Sequence, residues 1–559
     1  MISFNNVTFT YNNSDTPTLA NVNIDIRKGE YVLVCGKSGS GKTSLCRAVN
    51  GLIPHFHGGV ISGTISTGGL EPLSSSPAKM AMHVGMVFQD PENQLIASDV
   101  EHEICFAMEN IGLPSEIIAQ RLEELLELLN IKHLRHRTIH ELSGGEKQLV
   151  AIASVLALQP DILMLDEPTS ELDPGRVDNL FQLLKRLNQE LGLTIIVVEH
   201  RLDKVIKFVN KVIAVDQGQI LFDGPPDLAM TEYWEELDSL GVGLPSFVKL
   251  YHGFSHNEIG AISAPLTLED SVKVFEDVFS KPLPFQPPSS NNNNNQPAIE
   301  LDNVSFTYES GVEAVRNINL RVNQKEAVAI LGCNASGKTT LVKLINGLLR
   351  PSSGTIKILG SDITDRTVAD ISGSVGVVFQ NPGFHLFSET VEEEIAFALK
   401  LRGATEVEIA EKTTAVLERF KLTQYRSRNP QDLSSGEKQR LALASVIIYE
   451  PPILIIDEPD RGADGKTRRY LTEALHDYRA LGNTVIMITH DVEMAARTAE
   501  RVIIMEHGEI TCDGNKYDVL PDEGEFTPQI NRLIKHFEHN GVSSKLLTPE
   551  EVIAAFYGR

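Results

Sequence analysis

The chain contains two copies of one domain, and this repeat limits the possible folds more than any other feature of the sequence. The segment MVFQDPENQL is matched by VVFQNPGFHL, ILMLDEP by ILIIDEP, TIIVVEH by TVIMITH, and GKSGSGKTSL by GCNASGKTTL. The spacing between matching residues is nearly constant, for example from Gln89 to Gln380 and from Asp166 to Asp457. A repeat of this length indicates two similar domains in tandem.

Between the copies lies KPLPFQPPSSNNNNNQP, whose prolines, serines and asparagines provide no apolar face to bury. This composition predicts an extended or disordered tether. The tails that follow the two copies also resemble each other, with LTLEDSVKVFEDVF in the first and LTPEEVIAAFY in the second. We therefore expect domains over residues 1–240 and 297–522, a helical appendage with the linker over 241–296, and a C-terminal helical appendage over 523–559.

The order of patterns in each copy predicts an α/β fold. A Gly-rich turn lies between an apolar strand and a helix, and later strands such as ILMLD are apolar at every position, as parallel strands buried on both faces are. KVIAVDQGQILFDG and RVIIMEHGEITCDG predict pairs of short strands around a turn. We expect an α/β core with an antiparallel β portion and an inserted helical part around SEIIAQRLEELLELLNI.

The composition argues against several classes of function. The net charge of −25 would repel a phosphate backbone, and no basic cluster offsets it, so a nucleic-acid partner is not expected. No apolar run approaches the roughly 20 residues that span a bilayer, so we expect a soluble chain that reaches a membrane only through a partner. The cysteines have no spacing typical of a disulfide framework or a metal site, which indicates reduced cytosolic thiols: Cys35, Cys46, Cys105, Cys333 and Cys512.

A phosphate-binding loop is predicted in each copy. GKSGSGKT, residues 36–43, matches G-x-x-x-x-G-K-[ST], in which backbone N–H groups surround phosphate at a helix N-terminus. In this pattern Lys42 reaches the β and γ phosphates and Thr43 holds Mg²⁺. GCNASGKT at 332–339 keeps Lys338 and Thr339 but has Ala335 where the first copy has Gly39. The other predicted loop residues are Gly36, Ser38, Ser40, Gly41, Ser44, Gly332, Asn334, Ser336, Gly337 and Thr340.

Two acids end a buried strand in each copy, in ILMLDEP and ILIIDEP. The first acid, Asp166 or Asp457, is a candidate Mg²⁺ ligand, and the second, Glu167 or Glu458, can polarise an attacking water. Taken alone, such acids could equally cap the helix that follows.

LSGGEKQ before LMLDEP, together with His200 after the next apolar strand, makes the chain resemble the ABC ATPase family along both copies. The resemblance implies two tandem P-loop ABC ATPase domains, each with a RecA-like α/β core, an antiparallel β portion and a helical subdomain. It also implies head-to-tail pairing, in which each of two ATP molecules, with its Mg²⁺, lies between the phosphate loop of one copy and the LSGGE segment of the other.

Residues for both composite sites follow from this resemblance. Site one joins Tyr11, Lys42, Thr43, Gln89, Asp166, Glu167 and His200 to Ser434, Ser435 and Gly436. Site two joins Tyr308, Lys338, Thr339, Gln380, Asp457, Glu458 and His490 to Ser143, Gly144 and Gly145. The implied catalytic residues are Glu167, His200, Glu458 and His490. The implied Mg²⁺ ligands are Thr43, Gln89, Asp166, Thr339, Gln380 and Asp457.

The family assigns Tyr11 and Tyr308 to adenine stacking, which uses the flat apolar face of the ring. A half-buried strand tyrosine is the alternative. Gln89 and Gln380 are implied to sense the γ-phosphate and to link it to a membrane partner. The pair His55 and His57 in IPHFHGG has no counterpart in the second copy, and we interpret it as part of a loop and not as a metal site.

The two copies differ in their signature segments, since LSSGEKQ has Ser435 where LSGGEKQ has Gly144. A side chain there narrows the space beside a phosphate, so we expect a weaker site one that still functions. DEPDRGADG also replaces DEPTSELDP, which substitutes Asp460, Arg461 and Ala463 for Thr169, Ser170 and Leu172. The family's interface aspartates correspond to Asp173 and Asp464.

The segments FQDPENQL, VEHEICFAMEN, VEEEIAFAL and NGLIPHFHGG resemble the ATPase of energy-coupling factor importers in its fused form. Such machines combine the ATPase with a transmembrane coupling protein and a small substrate-capturing membrane protein, and they import vitamins or ions such as cobalt and nickel. The resemblance implies a peripheral protein on the cytoplasmic face of the cell membrane. Nothing in the sequence selects the solute.

Two alternatives stay open at this point. One is a soluble twin ABC ATPase that acts on ribosomes or nucleic acid, although such proteins typically carry a basic or helical linker or cysteine-ligated clusters. The other is the ATPase of an exporter, or of an importer served by a solute-binding protein.

Overall fold

The computed structural model describes residues 1–12, 14–170, 172, 174–260, 263–288, 296–459, 463–522 and 524–558. The chain folds into two compact units. The first contains Met1–Val248 and Ala261–Thr267, and the second contains Lys249–Gly260 and Leu268–Arg559. Part of the first appendage therefore belongs to the second unit. The predicted linker residues 289–295 lie outside the described residues, as do Asp173, Asp460 and Arg461.

The elements of the first unit follow the predicted order. Its strands are β1 (Ile2–Thr10), β2 (Leu19–Ile26), β3 (Tyr31–Cys35), β4 (Val60–Thr67), β5 (Val84–Val87), β6 (Ile162–Asp166), β7 (Thr194–Val198), β8 (Lys211–Asp216) and β9 (Gln219–Gly224). Its helices are α1 (Lys42–Val49), α2 (Leu52–His55), α3 (Pro77–Ala81), α4 (Val100–Asn110), α5 (Ser115–Leu128), α6 (Gly144–Leu156), α7 (Pro174–Leu191), α8 (Leu202–Val205), α9 (Pro226–Glu232) and α10 (Trp234–Ser239).

The appendage of the first half contains α11 (Ser246–Gly253), α12 (His256–Ile259) and α13 (Leu268–Val274). The remaining strands are β10 (Pro297–Thr307), β11 (Glu313–Asn323), β12 (Ala327–Leu331), β13 (Ser353–Ile358), β14 (Ser361–Asp362), β15 (Val375–Val378), β16 (Ile453–Asp457), β17 (Thr484–Ile488), β18 (Arg501–Glu506) and β19 (Glu509–Asn515). The remaining helices are α14 (Lys338–Ile345), α15 (Val368–Ser372), α16 (Val391–Leu401), α17 (Glu406–Arg419), α18 (Ser435–Ile447), α19 (Gly465–Ala480), α20 (Val492–Thr498), α21 (Lys516–Val519), α22 (Gln529–Ile534) and α23 (Pro549–Tyr557).

A mainly parallel sheet forms the centre of each unit. Its strand order is β5-β6-β7-β3-β8-β9 in the first and β15-β16-β17-β12-β18-β19 in the second. Only the last strand of each order runs antiparallel to its neighbour, in the hairpin that the sequence predicts. In such a sheet the segments that follow β3, β6 and β7 meet at the same edge. A separate antiparallel sheet, β2-β1-β4 or β11-β10-β13-β14, confirms the predicted β portion.

Both faces of the central sheet are buried, which explains why its strands are apolar at every position. In the second unit, Ile453 and Ile455 of β16 pack toward α14 and the antiparallel sheet. Leu454 and Ile456 pack on the opposite face, against α16, α18 and α19. Each fully buried side chain of this size contributes about 1.5–3 kcal/mol. The helix predicted from SEIIAQRLEELLELLNI is α5.

The appendages of the two halves pack on each other within the second unit. The rings of Phe279 and Phe537 lie 5.1 Å apart. Leu283 and Val542 form a parallel bridge, and Asn540 Nδ2 donates to the Phe279 carbonyl at 3.0 Å. The similar tails thus form one joint structure. Across the described part of the chain, no helix combines the length and apolarity that a membrane crossing requires.

Substitution of Phe279 tests this packing. Phe279 is fully buried, so we expect Phe279→Ala to destabilise the second unit by about 3–5 kcal/mol, because truncation leaves a cavity between the appendages. Differential scanning calorimetry would follow the transition of each unit. Leu481→Ala is a suitable control because Leu481 is 70% exposed in the same unit. Equal transition temperatures for Phe279→Ala and the control would contradict the prediction.

Candidate active site

The phosphate loops lie between β3 and α1 and between β12 and α14. The glycine that precedes each lysine has a left-handed backbone, with φ of 108° at Gly41 and 99° at Gly337. A Cβ at these positions would lie 2.7 Å from the Thr18 carbonyl oxygen and 2.3 Å from that of Ala314. Only glycine fits such a close approach of two backbones. Both loops therefore require their glycine for steric as well as conformational reasons.

The two phosphate-loop lysines point into their own loops. Lys42 Nζ donates to the carbonyl oxygens of Gly36 at 3.0 Å and Lys37 at 2.8 Å. Lys338 Nζ donates to the Gly332 carbonyl at 2.8 Å and the Cys333 carbonyl at 2.7 Å. Both lysines are buried. An ammonium group at the centre of such a ring of backbone groups can contact a bound phosphate directly.

Gly39 and its counterpart Ala335 both have a left-handed backbone, with φ of 75° and 62°. A Cβ on Gly39 would meet no atom within 4 Å. The replacement of glycine by Ala335 therefore costs conformational energy and causes no steric collision. L-residues other than Asn and Asp rarely occupy this region, at a cost of about 1–2 kcal/mol.

The first acid of each strand-end pair contacts the threonine of its phosphate loop. Thr43 Oγ1 donates to Asp166 Oδ2 at 3.0 Å, and Thr339 Oγ1 donates to Asp457 Oδ2 at 3.0 Å. Burial and the neighbouring Glu458 raise the pKa of Asp457 to about 6. Burial likewise raises the pKa of Asp166. These are hydroxyl and carboxylate oxygens, which Mg²⁺ prefers.

In the first unit, the second acid of the pair is held by the predicted glutamine and histidine. Gln89 Nε2 donates to Glu167 Oε2 at 2.7 Å, and His200 Nε2 lies 2.7 Å from Glu167 Oε1. Glu167 has a left-handed backbone, with φ of 48°. Strained backbones of this kind cluster at functional sites. The chain ends of β5, β6 and β7 therefore contribute one side chain each to a single cluster.

The second unit repeats this cluster with a different histidine distance. Gln380 Nε2 donates to Glu458 Oε2, and His490 Nδ1 lies 3.9 Å from Glu458 Oε1. Burial would raise the pKa of Glu458, but the hydrogen bond and the charge of His490 hold that pKa below its usual value. The carboxylate thus stays ionised, as a group that orients water must be.

The predicted adenine-binding tyrosines lie beside the phosphate loops. Tyr11 OH is 2.9 Å from Ser44 Oγ, and Tyr308 OH is 3.0 Å from Thr340 Oγ1. Tyr308 also lines a cavity of about 480 Å³ together with Ala335. The other walls of this cavity include Asn334, Ser336, Gly337, Lys338, Thr339, Gln380 and Glu458. An aromatic ring and the phosphate loop therefore line the same cavity.

The signature segments begin α6 and α18 with the same capping geometry. Glu146 Oε2 accepts from Ser143 N at 2.8 Å and from Ser143 Oγ at 2.7 Å. Ser434 makes the corresponding bonds to Glu437 at 2.8 and 2.7 Å. Ser435, like Gly144, is the first residue of its helix and has no positive φ. The side chain of Ser435 therefore causes no backbone strain.

The other predicted residues lie in less specific positions. Asp464 caps α19, where its Oδ1 accepts from Thr467 N at 2.8 Å. His55 ends α2, and its Nε2 is 3.2 Å from the Pro72 carbonyl oxygen. In the residues that the structure describes, no group of three or more metal-binding side chains is present.

Sequence reasoning missed two contacts near the site. Arg176 Nη1 donates to Ser143 Oγ at 3.2 Å. Glu199, which precedes His200, is buried, and its Oε1 accepts from Thr169 Oγ1 at 2.6 Å. Burial raises the pKa of Glu199 to about 7, although the Thr169 hydrogen bond opposes this shift. Comparison of the copies gives a signal for both contacts, because Thr467 replaces Arg176 and Thr489 replaces Glu199.

Comparison with known proteins decides the family. A family model described as ABC transporter matches residues 19–170 and 315–461. The chain belongs to the ABC transporter family. The assignment confirms the predicted fold class and the ATPase activity, so this ABC ATPase binds and hydrolyses ATP.

Several relatives match this ABC ATPase along its length. A protein of Methanosarcina acetivorans, provisionally named an ABC transporter ATP-binding protein, is 38% identical over 98% of this chain and 92% of its own length. A protein of Caldanaerobacter subterraneus with the same provisional name is 34% identical over 92% of each chain. The solved structure of cbiO1 from Clostridium perfringens, described as part of the ABC transporter complex cbiONQ, is 30% identical. It covers 43% of this chain and 96% of its own, with a TM-score of 0.39.

Two single substitutions, Ala335→Gly and Gly39→Ala, test the backbone strain in the phosphate loops of the ABC ATPase. We expect Ala335→Gly to stabilise the second unit by about 1 kcal/mol, since glycine adopts a left-handed backbone freely. Gly39→Ala should destabilise the first unit by a similar amount. Calorimetric transition temperatures of the two units, without nucleotide, would measure both effects. A lower transition temperature for the second unit in Ala335→Gly would contradict this account.

Proposed function

We propose that this ABC ATPase is the energy-coupling subunit of an energy-coupling factor importer, located at the cytoplasmic face of the cell membrane through its partners. It drives uptake of a vitamin or a transition-metal ion. The partners are a transmembrane coupling protein and a small substrate-capturing membrane protein. The observation that carries the proposal is an apolar groove beside the γ-phosphate-sensing glutamine.

This groove lies between β5, the segment that follows Gln89, and α4. It has a volume of about 330 Å³. Its walls include Phe88, Ile96 and Phe106, which are 39%, 66% and 42% exposed. Exposed apolar side chains that line one groove mark an interaction site. An amphipathic helix from another protein is the ligand that such a groove typically accepts.

A buried acid fixes the edge of the groove. Glu103 Oε2 accepts from the backbone N–H groups of Ile96 at 2.8 Å and Ala97 at 2.7 Å. Glu103 is only 5% exposed. A buried carboxylate is stable only when it is hydrogen-bonded, so these two bonds keep Ile96 directed outward. The two hydrogen bonds therefore fix the backbone of Ile96 so that its side chain stays exposed.

The second half has the same construction at the corresponding residues. Glu394 Oε2 accepts from Phe387 N at 2.9 Å and Ser388 N at 2.8 Å. Phe387 is 65% exposed, and its ring meets Phe397 edge-on at 4.8 Å. Two such surfaces, one in each half, suit a membrane partner that offers a helix to each ATPase domain.

Coupling requires that ATP change the position of these surfaces. We infer that each ATP lies between the phosphate loop of one half and the signature segment of the other, so that binding draws the halves together and hydrolysis releases them. Gln89 directly precedes the groove segment and contacts Glu167. A change at the γ-phosphate is thereby transmitted to the groove through adjacent backbone.

The residues present fit Mg²⁺. Asp457 Oδ1 is buried without a hydrogen-bond partner, beside the Thr339 hydroxyl, so a cation has an oxygen available to it. Thr339 and Asp457, and likewise Thr43 and Asp166, would hold the ion, with Gln380 and Gln89 as further ligands. When bound, Mg²⁺ neutralises charge on the β and γ phosphates.

Charge placed in the groove and on the corresponding surface around Phe387 tests the coupling proposal. We expect Ile96→Glu and Phe387→Glu to reduce copurification of the membrane partners at least tenfold, because a carboxylate replaces an apolar contact. The ATPase rate of the purified chain should stay within about twofold of wild type. Leu191→Glu and Leu481→Glu, at other sites that are 57% and 70% exposed, are the controls. Mass spectrometry of gently solubilised membranes gives the measurement.

Three outcomes of this experiment differ in meaning. Loss of a polytopic protein and a small apolar protein from the groove variants alone supports the proposal. Equal loss from the control variants would show that any surface charge interferes. Recovery of ribosomal or nucleic-acid proteins, with no membrane protein, would replace the proposal by a soluble twin ABC ATPase.

Comparison of the two glutamates tests the inequality of the ATP sites. We expect Glu458→Gln to remove more turnover than Glu167→Gln, because site one carries Ser435 opposite its phosphate loop. The exposed acids Glu127 and Glu418 occupy corresponding positions, so Glu127→Gln and Glu418→Gln are the matched controls. Steady-state phosphate release at saturating ATP would measure the difference. Equal losses would show that the two sites contribute equally.

A further inference from the structure

Glu199 joins two chain segments that carry the proposed catalytic residues. Its Oε1 accepts from Thr169 Oγ1 at 2.6 Å and from Thr169 N at 3.3 Å. Its Oε2 accepts from His200 N at 3.3 Å. Thr169 lies two residues after Glu167, and the Glu199 carboxylate is next to His200. One side chain thus connects the segment after β6 with the segment after β7.

The environment of Glu199 makes this connection costly. The side chain is almost completely buried, at 4% exposure, and the charge of nearby Glu167 also disfavours a second carboxylate there. Removal of a carboxyl group from water costs several kcal/mol unless hydrogen bonds compensate. A residue that only filled space at this position would be apolar. The bonds to Thr169 and His200 are the compensation that the structure provides.

The second half also has one acid and one hydroxyl at the positions that correspond to Thr169 and Glu199, but the two groups have changed places. His200 corresponds to His490, so Glu199 corresponds to Thr489. Glu167 corresponds to Glu458, so Thr169 corresponds to Asp460. Each half therefore has one acid and one hydroxyl at these two positions. Thr489 is fully buried, and its Oγ1 accepts from Asp491 N at 2.8 Å; Asp460 lies outside the described residues.

We propose that Glu199 is a positioning residue for ATP hydrolysis, which acts by holding the Thr169 segment in register with His200. The register matters because His200 Nε2 lies only 2.7 Å from Glu167 Oε1. A shift of about 1 Å between reacting groups can reduce a rate 100-fold. Thr169 also accepts at its carbonyl from Leu172 N at 3.1 Å. This inference rests on the proposed roles of Glu167 and His200.

Transfer of the second half's pair into the first half is the decisive experiment. Thr169→Asp places two acids together, and Glu199→Thr leaves two hydroxyls without an acid. The measurements are made in the Glu458→Gln background, so that turnover reports on site one. Each single variant should lower kcat at least fivefold relative to the Glu458→Gln protein, with KM for ATP within about twofold. The double variant Thr169→Asp/Glu199→Thr restores one acid and one hydroxyl, and it should recover kcat to within about threefold of the Glu458→Gln protein.

Two results would overturn the proposal. One is a double variant whose loss of kcat equals the product of the losses in the single variants, because the two side chains would then act independently. The other is a set of single variants with unchanged kcat. If the other variants fold poorly, Glu199→Gln is the alternative, because glutamine preserves the shape of glutamate. It should lower kcat without lowering the transition temperature of the first unit by more than about 3 °C. A lower transition temperature with normal kcat would show a purely structural role.

The proposed role of Glu167 is tested separately by Glu167→Gln. Full turnover in Glu167→Gln would overturn that role. Rescue by the double variant would still establish the acid–hydroxyl pair as the connection between the two segments, so the two failures are distinguishable.

Discussion

The parallel order of the central strands is the constraint on which both candidate sites depend. Because β3, β6 and β7 run in the same direction, the phosphate loop, the paired acids and the histidine emerge at one edge of the sheet. Thr43 and Asp166 lie far apart in sequence, yet the hydrogen bond between them is 3.0 Å. The apolar residues on both faces of these strands stabilise this register, so core packing in each unit directly fixes the distances between functional side chains.

Much of this arrangement could be predicted from the sequence. The repeat gives the number of modules, and the apolar strands followed by a phosphate loop, paired acids or a histidine predict which side chains converge. Glu199 could not be predicted in this way, because an acid at the end of a strand does not reveal which hydroxyl lies beside it. The absence of backbone strain at Ser435 could also be seen only in the structure. Only the backbone shows that its position is the first turn of a helix, where glycine has no conformational advantage.

Because the chain contains two copies of one domain, corresponding residues of the two halves can be compared directly. Groups that recur at corresponding positions, such as Glu103 and Glu394 beneath the groove edges, have the same backbone partners in both halves. Groups that differ, such as Arg176 and Thr467, lie near the signature segments. Where the family's chemistry is most demanding, at the lysines and strand-end acids, the halves agree closely.

The pairing of the appendages changes which parts of the molecule the asparagine-rich linker connects. Leu283, near the start of the predicted linker, pairs with Val542, and β10 follows the asparagine run, so the segments on both sides of that run belong to the second unit. The linker length therefore does not set how far the two ATPase domains can separate. A gene divided within the asparagine run would encode two polypeptides that keep the contacts between their tails, such as that of Leu283 with Val542, and the single chain would become a heterodimer.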